Sequence, residues 1–404
     1  MPPDWARRKF GDFARRVKRI NESGEELPPL SVTKDRGVML QSDKFKKRIA
    51  TDLRKYLVVH RGEFAFDPMS LYYGAVGRVR VVDRGVISPD YVAFEPDATV
   101  DHLFLDHLLR SPAMHDKYEA VAEGGNQFGK RRRVYWSVFA DLEVALPPIE
   151  EQRKIAAILS SVDNTIEKVQ ASIGQLEVVK KGLLGELLTR GMPGRHKEYL
   201  NTVIGLLPAG WRVARLGDIV DFVNGRAFKP SDWKTEGLPI VRIQNLNGGT
   251  AFNYYSGEVE SRFLLVPGDL LFSWSGTRGA SFGPHIWRGP TGILNQHIFN
   301  VRNLRGASKL FLYYALKWVT AAVEQRAHGG TGIVHITKGQ LESFCIPCPP
   351  SAEQEEIAEG LLSMDEAHAK DKVVLNEVRQ LKASLLGALL SGRVRAPTLE
   401  QEAA

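Results

Sequence analysis

Apolar residues recur with alternating steps of four and three between positions 155 and 187, and this spacing predicts one long helix. The seam begins with Ile155, Leu159, Val162 and Ile166, and its period is about 3.5 residues. A seam of that period over several heptads is narrower than the stripe of an ordinary surface helix and favours pairing with a similar helix. A core helix of a globular domain is the alternative interpretation.

The whole pattern returns 202 positions later without a gap, so the chain contains an internal duplication. Both copies open with Pro-Pro-x-x-Glu-Gln-x-x-Ile-Ala, at Pro147 and at Pro349. A self-match at a fixed offset predicts two long helices that pair with each other. The positions expected in the coiled coil or against a partner protein are Glu151, Gln152, Ile155, Leu159, Val162, Ile166, Glu353, Gln354, Ile357, Leu361, Leu385 and Leu389. His368 and Asp371 interrupt the second seam.

The segments before the helices are duplicated as well. The pattern Trp-x-x-x-[Lys/Arg]-x-Gly-Asp occurs at Trp5 and at Trp211. Short β-rich runs separated by Gly, Asn and Asp turns, with helical stretches at 101–122 and 307–327, predict a mixed α/β lobe in each repeat. We therefore predict an α+β fold with a pseudo-two-fold duplication. Its order is lobe one (1–146), helix (147–190), linker (191–207), lobe two (208–348), helix (349–392) and a flexible tail (393–404).

The direction of the paired helices follows from the connection between the repeats. A linker of under twenty residues joins the first helix to lobe two, and a two-fold relation between the repeats then makes the helices antiparallel. The lobes would lie at opposite ends of the pair. A parallel pair, which would crowd both lobes at one end, is the alternative.

Composition indicates a soluble folded protein, since 43% of residues are hydrophobic and 25% are charged. The sequence has neither an 18-residue apolar span nor the apolar core of a signal peptide, so we expect a cytoplasmic protein. The net charge of +7 is concentrated outside the helices, with +4 in residues 1–146 and +6 in residues 207–348. Two basic lobes suit a polyanion partner, although a surplus of this size also occurs in proteins that bind no nucleic acid.

Motifs for catalysis are missing from the sequence. It contains no phosphate-binding loop, no H-E-x-x-H and no G-x-S-x-G, which predicts a protein that is not an enzyme and holds no cofactor or metal of its own. Asp67-Pro68-Met69-Ser70 has only a faint likeness to the Asp-Pro-Pro-Tyr loop of amino-methyltransferases and is interpreted as a turn. Cys345 and Cys348 could form half a zinc site or a redox pair, but two small residues on a buried strand is the preferred interpretation.

Candidates for nucleic-acid contact are cations and amides beside glycine-rich or strand-terminal segments. A run of four cations between residues 130 and 133 suits phosphate contact, and Asn or Gln at strand ends can read adenine edges. A solvated charge run, turn-forming Asn and a core Trp are the alternatives. The candidates are Arg78, Arg80, Ser88, Tyr91, Lys130, Arg131, Arg132, Arg133, Arg226, Lys229, Arg242, Gln244, Asn245, Trp274, Arg278, Asn295, Gln296 and His297.

Taken together, these motifs resemble the specificity subunit of type I restriction-modification systems over about residues 1 to 392. The likeness is carried by the two Trp-x-x-x-[Lys/Arg]-x-Gly-Asp segments, by the two Pro-Pro-x-x-Glu-Gln-x-x-Ile-Ala segments, and by Gly-Asp-Leu-Leu-Phe-Ser at Gly268. It is also carried by Gly-Ala-Val-Gly at Gly74 and Ile-Ser-Pro-Asp-Tyr at Ile87.

The resemblance implies that each lobe is a target-recognition domain for one half of a bipartite asymmetric DNA site. It implies that the coiled coil sets the spacing and docks two modification subunits, with the restriction subunit recruited indirectly. S-adenosylmethionine, ATP and magnesium then belong to those partner subunits. A self-sufficient DNA methyltransferase or nuclease, or a coiled-coil scaffold that binds only proteins, are the alternative functions.

Overall fold

The computed structural model describes residues 2–45, 52–124, 132–326 and 332–396. Its contacts divide the chain into two compact units: unit one, Met1–Gln170 with Val373–Ala404, and unit two, Ala171–Lys372. Each unit therefore contains one lobe and part of each long helix. Within the described residues, no helix has the length and apolar character needed to cross a membrane.

The elements alternate along the chain as the sequence predicts. The strands are β1 (Ala6–Lys9), β2 (Ala14–Val17), β3 (Leu30–Thr33), β4 (Gly37–Leu40), β5 (Leu57–His60), β6 (Phe64–Phe66), β7 (Val76–Arg78), β8 (Arg84–Ile87), β9 (Val92–Pro96), β10 (Glu143–Leu146), β11 (Tyr199–Thr202), β12 (Gly205–Pro208), β13 (Arg212–Arg215), β14 (Asp221–Asn224), β15 (Leu238–Val241), β16 (Asn253–Tyr255), β17 (Leu264–Leu265), β18 (Leu270–Ser273), β19 (Ser275–Thr277), β20 (Gly283–Ile286), β21 (Gly292–Leu294), β22 (Ile298–Arg302), β23 (Ile333–His335) and β24 (Cys345–Cys348). The helices are α1 (His102–Leu109), α2 (Pro112–Val121), α3 (Trp136–Ala140), α4 (Ile149–Arg190), α5 (Leu216–Ile219), α6 (Ile243–Leu246), α7 (Lys309–Arg326), α8 (Lys338–Ser343) and α9 (Ser351–Leu390).

The two lobes share one sheet topology, which confirms the duplication in three dimensions. Lobe one contains a four-stranded antiparallel sheet in the order β2-β9-β6-β7, and lobe two repeats it as β14-β22-β18-β20. A second sheet in lobe two has the order β16-β15-β21-β17, with β15 and β21 parallel. The predicted mixed α/β lobes are thus confirmed.

Local sequence explains where the short helices of lobe one begin. The Asp101 side chain accepts hydrogen bonds from the backbone N–H groups of Leu103 and Phe104 at the start of α1. Ser111 caps α2 in the same way, with Pro112 in the first turn, where a missing N–H costs nothing. Both helices fall within the predicted stretch 101–122, and α7 falls within 307–327.

The core of lobe one is a cluster of aromatic rings that the long helices complete. Phe10 stacks on Phe139 with centroids 4.5 Å apart, and Phe94 lies 5.3 Å from the same ring. Ile155 from α4 and Leu389 from α9 are buried in this cluster. Each such side chain contributes about 1.5–3 kcal/mol on burial, so α4 and α9 are structural parts of the lobe.

The long helices run antiparallel in both units, as predicted. In unit one, the Lys382 ammonium of α9 lies 2.5 Å from the Asp163 carboxylate of α4. In unit two, His368 contacts Glu177 at 3.0 Å, and three residues further along α4, Lys180 pairs with Asp365. The interruption of the seam at His368 is therefore a polar contact between the two helices.

Buried glutamates fix the start of each long helix to its lobe. The Trp5 indole N–H donates to Glu151 Oε2 at 3.2 Å, and the Trp211 indole donates to Glu353 Oε2 at 3.0 Å. Both carboxylates are buried. The prediction that these glutamates contact a partner or the opposite helix is wrong, because each carboxylate is buried and accepts a hydrogen bond from the tryptophan of its own lobe.

Gln152 and Gln354 are also buried, and they act as internal connectors. The Gln152 side chain accepts from the Asp101 backbone N–H and donates to the Pro147 carbonyl, both at 2.9 Å. Gln354 repeats this with the Ser308 N–H and the Pro349 carbonyl, again at 2.9 Å. Their expected role in partner binding is corrected in the same way.

The remaining seam residues divide by depth. Ile155, Leu159, Ile357 and Leu361 are fully buried and Leu389 nearly so, and these five belong to the cores of the lobes. Val162, Ile166 and Leu385 are half-buried. The fully buried seam residues therefore belong to the cores of the lobes. The half-buried ones lie on the faces where the two helices pack less deeply.

Two predicted connecting segments have more structure than expected. The segment predicted as a linker, 191–207, contains all but the last residue of the β11–β12 hairpin, and His196 Nε2 lies 2.7 Å from Glu353 Oε1. In the segment predicted as a flexible tail, Arg395 pairs with Glu151 and Asp4, and Ala396 is buried. The prediction is therefore wrong for Arg395 and Ala396, and residues 397–404 lie outside the described residues.

Candidate nucleic-acid interface

In lobe two, hydrogen bonds bring several strand ends to one edge. Asn224, the last residue of β14, pairs with Phe299 near the start of β22, and Ser273, the last residue of β18, pairs with Ile298. The Arg226 N–H donates to the Leu294 carbonyl at the end of β21 at 2.8 Å. Candidate residues that are distant in sequence therefore meet at this edge.

Gly225 allows that close approach. A Cβ atom at this position would lie 2.2 Å from the Asn295 carbonyl oxygen, which no side chain tolerates. The backbone of residues 225 and 226 can therefore lie directly against residues 294 and 295. This contact positions Arg226 beside Asn295.

Aromatic rings hold two arginines at this edge in fixed orientations. The Arg226 guanidinium lies over the Tyr255 ring at 4.4 Å and over Phe228 at 5.2 Å. The Arg242 guanidinium lies over Trp233 at 4.5 Å. Stacking restricts a guanidinium while leaving its N–H groups to donate, which is the arrangement that bidentate recognition of guanine requires.

Amide and imidazole groups occupy the segment between β21 and β22. Asn295, Gln296 and His297 are half-buried, and Gln296 Nε2 lies 3.2 Å from His297 Nε2. The Trp274 indole packs 5.1 Å from the His297 ring and donates to the Gln296 carbonyl at 3.0 Å. Trp274 thus supports this segment, while the amides of Asn295 and Gln296 lie at the edge.

Asn245 has an internal role. Its side-chain oxygen accepts from the Arg242 N–H at 2.9 Å, and its amide donates to the carbonyls of Gly249 and Ala251. The residue is buried, so its predicted contact with a base is replaced by the closing of its own loop. The neighbouring Gln244 is exposed.

The other two cations of lobe two lie on exposed turns. Lys229 is exposed, and its ammonium has no partner within the described part of the chain. Arg278 is exposed on the turn after β19, where its N–H donates to the Gly332 carbonyl at 2.9 Å. Lys229 is on the segment between Arg226 and Arg242, whereas Arg278 lies beyond β19.

Lobe one has the corresponding edge at the start of β9. Val17 at the end of β2 pairs with Ala93, and Phe66 at the end of β6 pairs with Val92. Ser88 and Tyr91 immediately precede β9 and are placed at this edge. Tyr91 packs against a core cluster, and burial raises the pKa of its phenol to about 12.

Arg78 and Arg80 lie at the other end of that sheet. Arg78 at the end of β7 pairs with Phe64 at the start of β6, so it faces away from the edge where Ser88 lies. Its Nε is buried without a hydrogen bond. Arg78 and Arg80, both predicted to contact DNA, therefore lie at the opposite end of the sheet from Ser88 and Tyr91.

The cationic run divides similarly. Arg132 donates to the Glu119 carbonyl at 2.5 Å and lies over the Tyr72 ring, so it is held by lobe one itself. The Arg133 backbone bonds to Glu123 in both directions, and among the described residues its guanidinium has one polar contact, at 3.7 Å to the Met69 sulfur. Lys130 and Arg131 lie outside the described residues.

Three cations at the edge of lobe one were missed in the sequence. Arg16 and Lys18 border the end of β2, and Lys34 follows β3 as Arg242 follows β15. All three are exposed. Counting on the duplication does not reach them, because the 206-residue spacing of the two tryptophan motifs carries Arg226 and Arg242 back to Ile20 and Arg36.

Comparisons with known proteins agree with this architecture. The family model described as "Type I restriction modification DNA specificity domain" matches residues 55–178 and 208–380, one match in each repeat. The chain belongs to this family. The resemblance seen in the sequence is therefore confirmed.

Relatives of the specificity family extend over most of the chain. The type I restriction enzyme MjaVIII specificity subunit of Methanocaldococcus jannaschii is 25% identical over 99% of this chain and 95% of its own length. The putative MjaX specificity subunit of the same organism is 31% identical over 74% of this chain and 69% of its own length.

Solved structures support the fold. A chain from the study "Structural basis underlying complex assembly and conformational transition of the type I R-M system" aligns with a TM-score of 0.60 and 19% identity, covering 96% of this chain and 98% of its own. The type I restriction-modification S subunit from M. genitalium aligns with a TM-score of 0.56 and 14% identity, covering 95% and 96%. At these identities the likeness concerns the fold alone.

Proposed function

We propose that this chain is the DNA-specificity subunit of a type I restriction-modification complex. Each lobe reads one half of a bipartite asymmetric site with its strand-end edge. The observation that carries the proposal is the duplicated edge in a member of the specificity family, with stacked Arg226 and Arg242 in lobe two and exposed Lys18 and Lys34 in lobe one.

Base reading and phosphate contact divide among these residues. Arg226, Arg242, Asn295 and Gln296 are suited to base edges, since they are held by packing and hydrogen bonds. Exposed cations such as Lys229 are suited to phosphates, which position the protein and carry no sequence information.

The long helices act as the spacer and dock two modification subunits in this proposal. A restriction subunit joins through them, and the assembly works in the cytoplasm, where DNA is accessible. S-adenosylmethionine, ATP and magnesium belong to these partners, which carry out the chemistry. Half-sites about one helical turn apart are the geometry that two lobes on one side of a duplex favour.

Fluorescence anisotropy with a labelled duplex tests DNA binding. The logarithm of affinity should fall linearly with the logarithm of salt concentration, because the lobes displace counterions from phosphates. A chain that bound no duplex at low salt would instead be a scaffold for proteins alone.

Reconstitution tests the assignment of catalysis. The chain mixed with modification subunits, S-adenosylmethionine and genomic DNA should methylate adenine within one two-part sequence, detectable by sequencing of methylated bases. The purified chain alone, with magnesium and S-adenosylmethionine, should neither methylate nor cleave. Modification or cleavage by the chain alone would favour a self-sufficient enzyme.

A further inference from the structure

Lobe one contains a cavity of about 530 Å³ at the candidate edge. Arg16, Asp90 and Arg133 line it together with Tyr135 and Trp136. This size is within the range of small-molecule sites, and the lining combines aromatic rings with a few charged groups, as such sites do.

Lobe two provides an internal comparison, because the backbone contacts around the cavity are repeated there. In lobe one the Val134 N–H donates to the Pro68 carbonyl at 3.0 Å, and in lobe two the Ile336 N–H donates to the Trp274 carbonyl at 3.0 Å. Pro68, which lines the cavity, therefore corresponds to Trp274.

Strand pairing identifies two more corresponding positions. Arg16 pairs with Phe94 in lobe one as Phe222 pairs with Val301 in lobe two. By the same reasoning, Val92 corresponds to Phe299, since each one pairs with the phenylalanine of the neighbouring strand, Phe66 in β6 and Phe272 in β18.

The lobe-two residues at these positions are three aromatic side chains that pack on one another. Phe299 lies 5.7 Å from Phe222 and 6.1 Å from Trp274, measured between ring centroids. Lobe one replaces these rings with arginine, valine and proline. The space that aromatic rings fill in lobe two is therefore open in lobe one, where the charged side chains of Arg16, Asp90 and Arg133 line it.

The charged groups around the cavity have hydrogen-bond donors and acceptors that are not used within the described part of the protein. Among the described residues, neither the Arg16 guanidinium nor the Asp90 carboxylate has a hydrogen-bond or ion-pair partner. Within the same described residues, the Arg133 guanidinium contacts only the Met69 sulfur. Trp136 packs against Phe94 and Phe139, each 5.7 Å away, so its ring is braced where it meets the cavity.

We propose that this cavity binds a nucleotide and prefers guanine. A base stacks against the Trp136 and Tyr135 side, and the two arginines bind its phosphate. The Asp90 carboxylate can only accept hydrogen bonds, and guanine presents two adjacent N–H donors on its Watson–Crick edge, N1–H and the 2-amino group. Adenine and cytosine each offer a single amino group there.

Two sources can supply this ligand: a free nucleotide, or an unstacked nucleotide of the DNA that the lobe binds. The second source rests on the proposed function, since it requires the duplex to lie along the edge that holds Ser88 and Arg133. Proteins that take a base out of the stack read it by stacking and by hydrogen bonds to its Watson–Crick edge, which is the chemistry available here.

Titration calorimetry with dGMP tests the free-nucleotide source. Wild-type protein should bind dGMP more tightly than dAMP, dCMP or dTMP, and Arg16→Ala should weaken dGMP binding by about tenfold or more. Arg15→Ala is the matched control, because Arg15 neighbours Arg16, carries the same charge and pairs with Glu95 outside the cavity. Asp90→Asn should remove the preference for guanine.

A duplex with one unpaired, bulged guanine tests the DNA source. Wild-type protein should bind it about tenfold more tightly than the fully paired duplex, and Arg16→Ala should abolish that difference while Arg15→Ala preserves it. Binding in only one arm identifies the source. Absence of both dGMP binding and bulge preference, with paired-duplex binding intact, would overturn the nucleotide site and leave the proposed function standing.

A filling variant completes the test without altering charge. Pro68→Trp introduces the residue of lobe two and should reduce dGMP or bulge binding at least tenfold. Circular dichroism establishes whether the variant is folded. A folded Pro68→Trp protein that binds as wild type does would show that the ligand lies elsewhere.

Discussion

In the proposed function, base recognition in lobe two depends most directly on the stacked Arg226 and Arg242. Arg242→Ala should cost about 1–3 kcal/mol in binding to the specific site and relax preference at one base position. Arg305→Ala is the matched control, because Arg305 pairs with Asp221 at the opposite edge of the sheet. A binding-selection experiment with randomised half-sites reads both outcomes. Equal losses for the two variants would remove Arg242 from base reading.

The buried Glu353 is the residue that fixes α9 to lobe two. It accepts from Trp211, from His196 and from the Met192 N–H, so Glu353→Ala leaves several buried donors without a partner. We expect a loss of about 3 kcal/mol in the free energy of unfolding, measured by urea denaturation. Glu359→Ala, at an exposed position on the same helix, should change it by less than about 0.5 kcal/mol.

His107 makes the stability of unit one depend on pH. Burial lowers the pKa of its imidazole, against the opposing charge of Asp163, which lies 3.9 Å away. A lowered folded pKa means that the unfolded chain binds the proton more readily. Stability is therefore complete above the unfolded value of about 6.5 and declines as pH falls below it toward the folded pKa.

Replacing His107 by the corresponding residue of lobe two provides the test. Tyr314 occupies that position and donates to Asp365 at 3.0 Å, with a phenol that stays protonated throughout this range. His107→Tyr should flatten the pH dependence of unfolding between about pH 5 and 7. His335→Gln, an exposed histidine in lobe two, should leave it unchanged. An unaltered profile in His107→Tyr would assign the dependence to another group.

At the scale of elements, the continuity of α4 is the property most open to test. The helix contains 42 residues and extends about 63 Å at 1.5 Å per residue. Ile166→Pro removes a hydrogen bond in its interior and should cost about 3 kcal/mol or more, with loss of assembly with modification subunits. Glu150→Pro, in the first turn, should be tolerated. Size-exclusion chromatography of the mixed subunits distinguishes these results.

Periodicity and repetition made the elements predictable, whereas partners distant in sequence were not. The seam from Ile155 defined α4, and the 202-residue offset defined α9, because both signals lie within the helices themselves. Glu151 and Glu353 were expected in the coiled coil or against a partner protein. Their hydrogen bonds to Trp5 and Trp211 depend on where a residue over 140 positions away is placed, which local pattern does not contain.

The candidate site shows the same limit. Residues such as Arg226 and Arg242 could be selected from the sequence because cations and amides stand beside turns. The separation of Arg78 and Arg80 from Ser88 was not predictable, because the direction of a short hairpin decides at which end of the sheet a residue lies. Arg16 was missed because its role appears only when lobe one is compared with the packed Phe222 of lobe two.

At the scale of the whole molecule, each lobe depends on the helix of the other repeat. Leu389 of α9 is buried in the core of lobe one, and Leu187 and Leu188 of α4 are buried in the core of lobe two. Fragments 1–198 and 199–404 should therefore each be largely unfolded alone and should regain helical circular dichroism when mixed. Fragments that fold separately to native stability would contradict this dependence.

The tryptophan–glutamate hydrogen bonds also indicate where the sequence should be cut when a lobe is exchanged between relatives. A replacement that begins after the tryptophan and stops before the two prolines leaves both partners of the bond, Trp5 with Glu151 or Trp211 with Glu353, in the recipient. A lobe grafted within those limits would be joined to the long helix by the recipient's own tryptophan–glutamate hydrogen bond. The DNA sequence that a lobe recognises could then be changed without redesigning the contact between the lobe and its long helix.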